Sequence, residues 1–129
     1  MIADVTLDVD GTPNVERLFC AHDCGKIINP DQVRAQCEGN LVWSIGMILS
    51  DHLTLSDGGI AQTSFAEAPV PSITDVPPME IALIATDAPP TGAGETLMAS
   101  APAAIANTLI ALTGRQPRRL PFTAEDFRI

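Results

Sequence analysis

The sequence has no tyrosine, one tryptophan and four phenylalanines, so its core cannot rest on aromatic anchors and must be filled by Ala, Val, Ile and Leu. Positive charge is scarce too. Seven Lys and Arg stand against sixteen Asp and Glu, a formal charge of −9, which repels a phosphate backbone and excludes nucleic acid as a partner class. The small basic cluster of Arg115, Arg118 and Arg119 reads as a solvated face or a contact to an acidic partner. Cysteines are few and odd in number. Cys20, Cys24 and Cys37 fit neither a CxxC nor a paired zinc spacing, which argues against a disulfide framework or a structural metal and leaves buried thiols in a reducing compartment. No apolar run reaches ~18 residues free of charge and proline, so no membrane span is expected. The N-terminus lacks a basic segment followed by an apolar one, so the chain as given is expected in the cytoplasm, with the compartment of any parent protein left open.

What is present is apolar enough to fold. With 46% hydrophobic and 18% charged residues over 129 positions, residues 1–129 read as a single domain, or as one piece of a larger protein. Val5, Leu7 and Val9 alternate with Asp4, Thr6 and Asp8 up to Asp10-Gly11, the pattern of a half-buried strand entering a hairpin, with Val15 to Cys20 returning. Asn29-Pro30-Asp31 combines a capping residue, a proline suited to the first helical position and an acid at the positive end of the dipole. It predicts a helix from Asn29 to Leu49, because Val33, Cys37, Leu41, Ile45 and Leu49 form one apolar stripe, with Arg34, Glu38 and Asn40 off it. Gly39 and Gly46 each cost ~1 kcal/mol there against Ala, which predicts close packing on that side by a sheet or by a ligand.

Segments 52–55 and 60–65 flank Ser56-Asp57-Gly58-Gly59 and predict a second hairpin. The proline-rich stretch 68–78 forbids helix and central strand, and Met79 to Thr86 reads as a central strand with two apolar faces. After Glu95 a short turn should lead to Ser100, the expected cap of a helix that starts near Pro102 and ends at Gly114. The tail from residue 116 to 129 reads as an extended arm. The expected class is α+β in two layers, a mixed sheet of about five strands against two main helices, 29–49 and 100–113.

The chemistry concentrates in Thr91-Gly92-Ala93-Gly94-Glu95. Two glycines let the backbone bend and expose its N–H groups to a flat or anionic ligand, with a carboxylate held beside it. Taken alone, Glu95 reads more simply as a helix-start acid worth roughly 0.3–1 kcal/mol against the dipole.

Three blocks in order change that weighting: His22-Asp23-Cys24-Gly25 through Ile28-Asn29-Pro30, Gln36-Cys37-Glu38-Gly39 with Gly46 downstream, and Pro89-Pro90 followed by the glycine loop. Together they resemble the C-terminal part of the molybdopterin-binding large (beta) subunit of the xanthine dehydrogenase and aldehyde oxidase family, most closely the branch of isoquinoline 1-oxidoreductase beta subunits. The resemblance implies a molybdenum hydroxylase acting on N-heteroaromatic or aldehyde substrates. It implies that Glu95 is the general base, that Gly92, Ala93 and Gly94 lie against the molybdopterin-type molybdenum cofactor, and that Gln36 hydrogen-bonds its pterin. A carboxylate buried there would lose solvation, which raises its basicity, while the loop N–H groups and the helix end lower it.

The resemblance also implies a parent several times longer, completed by the remaining part of the molybdopterin subunit and by an iron–sulfur subunit. Alone, the chain is then expected to be inactive, to lack cofactor and to self-associate through the surface made for the missing part. The rival expectation is a non-catalytic binding or assembly domain that keeps the fold. His22, Asp23 and Cys24 read as a satisfied turn with no chemical duty.

Overall fold

A computed structural model describes residues 1–128; Ile129, the last residue of the expected arm, lies outside the described residues. Strand β1 (Ile2–Leu7) pairs antiparallel with β2 (Pro13–His22). Val9, expected in the first strand, sits fully exposed in the connecting turn, because Asp8 already bonds across the turn to Thr12 and Gly11. Asp4 pairs with Arg17 but Val5 with Val15, so Glu16 is an extra residue, a β-bulge. The bulge shifts the side-chain alternation by one, which lets Val15 and Leu18, three apart, both face the core.

Helix α1 (Pro30–Leu49) starts as its sequence dictates: the Asn29 side chain accepts from the Gln32 N–H at 3.2 Å, with Pro30 in the first turn. It carries the chain over the sheet to β5 (Met79–Leu83), which pairs parallel with β2. The sheet order is β1-β2-β5. The expected central strand is therefore an edge strand among the described residues; Glu80 and Ala82 are exposed on its open face and Ile84 just beyond is half-exposed. An apolar run does not by itself distinguish a strand flanked by two others from one at the end of a sheet, because each can bury the face that meets the helices.

The five strands and two main helices of the α+β expectation are all present, divided between this mixed sheet and a separate ribbon, β3 (Leu55–Ser56) with β4 (Gly59–Ile60). The ribbon is far shorter than the sequence pattern predicts. Its turn takes positive φ at Asp57 and Gly58, which fixes a tight hairpin, but every strand residue is exposed, the paired Leu55 and Ile60 included, so the ribbon gains no burial that would extend it. Helix α2 (Ala101–Thr113) ends at Gly114 in the left-handed conformation, as expected. Ser100 precedes it without capping: its hydroxyl donates back to the Leu97 carbonyl at 3.0 Å.

Both helices lie on one sheet face. Leu18, Cys20 and Ile81 meet Cys37, Leu41, Ile45 and Ile48 of α1 and Ile105 and Leu109 of α2 in one core. The Thr108 hydroxyl fastens α2 to β1 through the Ala3 carbonyl at 3.0 Å. The tail is not wholly extended. The Phe122 N–H bonds the Ile48 carbonyl at 2.6 Å, a short helix α3 (Ala124–Phe127) follows, and Phe127 is buried with Phe122 in edge-to-face contact at 6.0 Å.

The glycines of α1 behave differently from each other. A Cβ on Gly46 would approach Pro71 at 3.0 Å and the Asp51 carboxylate at 3.1 Å, so the close neighbour is the proline-rich segment and not a sheet. Gly39 faces open space, which corrects the expectation of close packing there. The two lie seven residues apart, and that spacing does not extend the contact of one to the other.

Candidate functional site

The glycine loop is built between two supports. From one side, the segment after β2 is laced to the segment that enters the loop: the Lys26 N–H bonds the Ala88 carbonyl and the Thr91 N–H bonds the Cys24 carbonyl, both at 2.9 Å. Gly25 sits at φ 78, and a Cβ there would collide with the carbonyls of Pro89 and Ala88. Asp23 closes this turn, accepting from the Gly25 N–H at 2.9 Å and the Thr86 hydroxyl at 3.2 Å. The His22-Asp23-Cys24-Gly25 block thus acts as a scaffold that sets where the loop begins. His22, expected as a satisfied turn residue, instead ends β2, buried and with its Nε2 unpartnered among the described residues.

From the other side, α1 holds the loop through Asn40. Its Nδ2 donates to the Gly94 carbonyl at 2.6 Å, the Ala93 carbonyl at 3.1 Å and the Gln36 carbonyl at 2.6 Å. The sequence pattern puts Asn40 off the apolar stripe, yet it is buried. The only sequence signal is a polar residue one helical turn after Gln36, too common to single out.

Of the five residues expected at the site, four come together, and the fifth, Gln36, is linked to them through the Asn40 side chain, which bonds its main-chain carbonyl. Gly92, Ala93, Gly94 and Glu95 form one turn-rich segment, with Ala93 packed inward and the others exposed. Gly92 takes φ 90, and among the described residues no atom beyond the immediate chain neighbours lies within 4 Å of where a Cβ on Gly92 or Gly94 would be. The loop backbone is therefore open on its outer side. Gln36 is exposed on α1 and its main chain is tied to the loop by Asn40. Glu95 is exposed and opens a turn in which its carbonyl accepts from the Met98 N–H at 3.1 Å. The expectation of a desolvated carboxylate is thus unmet by the surfaces of this chain.

The loop also stands apart from the groove of about 530 Å³ between the proline-rich segment, the start of β2 and the end of α1, whose lining includes Asn14, Ile45, Pro71 and Val76. No group of three or more His, Cys, Asp or Glu fit to hold a metal ion occurs among the described residues. The three cysteines are buried as free thiols. Burial, reinforced by Cys20 and Cys24, pushes the Cys37 thiol up to about 11. No helix is long and apolar enough to cross a membrane among the described residues.

The chain is 32% identical over 129 residues to a subunit of nicotinate dehydrogenase from Pseudomonas putida, covering 98% of this chain and 11% of that one. It is 30% identical over 112 residues to the isoquinoline 1-oxidoreductase beta subunit of Brevundimonas diminuta, covering 87% and 14%. Its fold superposes on the crystal structure of quinoline 2-oxidoreductase from Pseudomonas putida 86 with a TM-score of 0.86 at 30% identity, over 96% of this chain and 17% of that one. These relatives are oxidoreductase proteins, two of them named as subunits, and the chain spans between 11% and 17% of their lengths. Residues 1–77, which carry β1, β2 and α1 with Gln36 and Asn40, match the molybdopterin cofactor-binding domain family, and the chain belongs to that family.

Proposed function

We propose that this chain is the part of a molybdenum hydroxylase large subunit that carries the general base, and that the complete enzyme hydroxylates N-heteroaromatic or aldehyde substrates. Residues 1–129 form a single domain, the C-terminal portion of the cofactor-binding region. One observation carries the reading: in a chain of the molybdopterin family, an anchored loop offers open main chain at Gly92 and Gly94 immediately before the exposed carboxylate of Glu95.

The residues fit the group. A flat cofactor can approach Gly92 and Gly94 without meeting a side chain, while the packed Ala93 fixes the bend between them. The exposed carboxamide of Gln36 offers a donor and an acceptor to a pterin edge. When bound, the molybdenum cofactor supplies the two-electron oxidation of the substrate carbon. A Glu95 carboxylate oxygen accepts the proton lost as the oxygen nucleophile adds to that carbon. Base strength and exclusion of water come from the remaining part of the large subunit, which covers the exposed loop, and an iron–sulfur subunit receives the electrons. In this reading the chain alone is inactive.

A non-catalytic assembly domain is the second reading, favoured by the exposure of both Gln36 and Glu95. Co-expression with the complementary part of the large subunit, followed by metal analysis and turnover, separates the two. The expected result is bound molybdenum, and a Glu95→Gln variant that keeps the metal while losing kcat by roughly 10²–10⁴. Full activity in that variant refutes the base, and no molybdenum in any pairing favours the assembly domain.

A further inference from the structure

We infer that Asn40 is a positioning residue: its buried side-chain amide holds the carbonyls of Ala93 and Gly94 and so fixes where Glu95 stands relative to α1. The inference deepens the proposed hydroxylase reading and rests on it for the link to Glu95, while the anchoring itself is independent of any reaction.

The geometry leaves the amide one orientation. Nδ2 faces three carbonyl oxygens, at 2.6, 3.1 and 2.6 Å. Turning the amide over would bring a fourth oxygen against them. With two hydrogens for three acceptors, one hydrogen is shared between two of the carbonyls. The consequence is an Oδ1 buried with no partner among the described residues. A helix serving only the core gains nothing from such a residue, since Ala has the higher helix propensity and leaves no polar atom orphaned. The return for this local cost lies across the contact: the Thr91 N–H and the packed Ala93 hold the start of the glycine segment, and the amide holds its end at Gly94, which has no side chain and adjoins open space. Glu95 follows directly on the anchored Gly94 carbonyl, so a shift of the anchor moves the carboxylate.

A substitution that isolates this role is supplied by the next turn of the helix. Ser44 donates its hydroxyl to the Asn40 carbonyl four residues back at 2.8 Å. Asn40→Ser can repeat that bond to Gln36 but is too short to reach the loop. Amide hydrogen exchange on the 129-residue chain reads the effect: the N–H groups of Thr91 and Met98, bonded to Cys24 and Glu95, should exchange roughly tenfold faster in Asn40→Ser, with the β2 amides unchanged. Asn40→Ala provides the second variant should the serine fail to fold, with the same local pattern expected. Unchanged exchange at Thr91 and Met98, or equal acceleration in loop and strands, overturns the anchor.

In the assembled enzyme, Asn40→Ser should lower kcat roughly tenfold at constant KM and molybdenum content. A loosened loop with unaltered kcat overturns the positioning of Glu95. Failure of the hydroxylase reading is distinguishable, because it leaves the exchange result on the chain intact and registers instead as full activity of Glu95→Gln.

Discussion

The Asn40 side-chain amide reaches the Gly94 carbonyl at 2.6 Å across 54 positions of sequence, so the middle of the long helix is pinned to the residue before Glu95. Helix and loop form one unit through this contact. On the opposite side, Cys24 accepts from Thr91. Three segments that are remote in sequence, 22–26, 36–40 and 91–95, thereby meet around one short stretch of glycine-rich backbone.

The two supports predict contrasting glycine substitutions. Gly25 is left-handed, and its missing Cβ is the space taken by the Pro89 and Ala88 carbonyls. Gly25→Ala should cost about 1–3 kcal/mol of folding stability, from backbone strain plus the displaced segment. Gly94 is not left-handed and adjoins open space. Gly94→Ala should leave folding stability within about 0.5 kcal/mol while weakening molybdenum retention in the assembled protein. Urea unfolding of both variants checks the contrast, and equal losses would contradict it.

Much of this arrangement is legible in the residues. The capped start of α1, the αL stop of α2 and the apolar stripe follow from local rules, since capping and periodicity act within a few residues. The glycine loop is recognisable as a feature, and so is its neighbourhood to Glu95. What stays hidden depends on contacts far apart in the chain. The register slip at Glu16, the edge position of β5 and the burial of Asn40 are set by partners remote in sequence, and nothing in their immediate surroundings differs from a regular strand or a solvated helix face.

The C-terminal tail should be essential to the fold. Phe127 is 1% exposed and packs edge-on against Phe122, itself tied to α1 through the Ile48 carbonyl. Phe127→Ala removes a buried ring from one of few aromatic positions in the core. A loss of about 3–5 kcal/mol is expected, measured as a lowered urea midpoint with an unchanged m-value. A variant as stable as the parent would mean that the tail does not hold the fold.

Alkaline pH should destabilise the chain through its thiols. Burial raises Cys37 from the ordinary 9.0 to about 11 and raises Cys20 as well. The native state therefore holds its protons where the unfolded chain has released them. The stability linked to Cys37 is complete below pH 9.0, falls as pH rises, and is gone above about 11, a change on the order of 2 kcal/mol. Unfolding free energies measured across this range should decline, and Cys37→Ala should flatten the decline. Thiol titration should also find Cys37 unreactive in the native protein at neutral pH.

Taken alone, the chain should self-associate. Phe65, Val70, Ile73 and Leu53 are between 66% and 95% exposed, in and around the segment that links the ribbon to β5. Leu53, Phe65 and Val70 line one shared depression with Ala68 and Pro69. Scattered apolar side chains on a surface are ordinary, but several converging on one depression mark a surface made to be covered. With no other protein present, a second copy is the available cover. The weight-average mass in sedimentation should rise with concentration, and Phe65→Ser should shift the association to higher concentration by roughly tenfold, the effect of losing ~1.4 kcal/mol from a contact of this kind. The same substitution should hardly alter folding stability, because Phe65 contributes almost nothing to the core of a single copy. A chain that stays monomeric at high concentration would remove the self-association and leave the patch without a partner of its own kind.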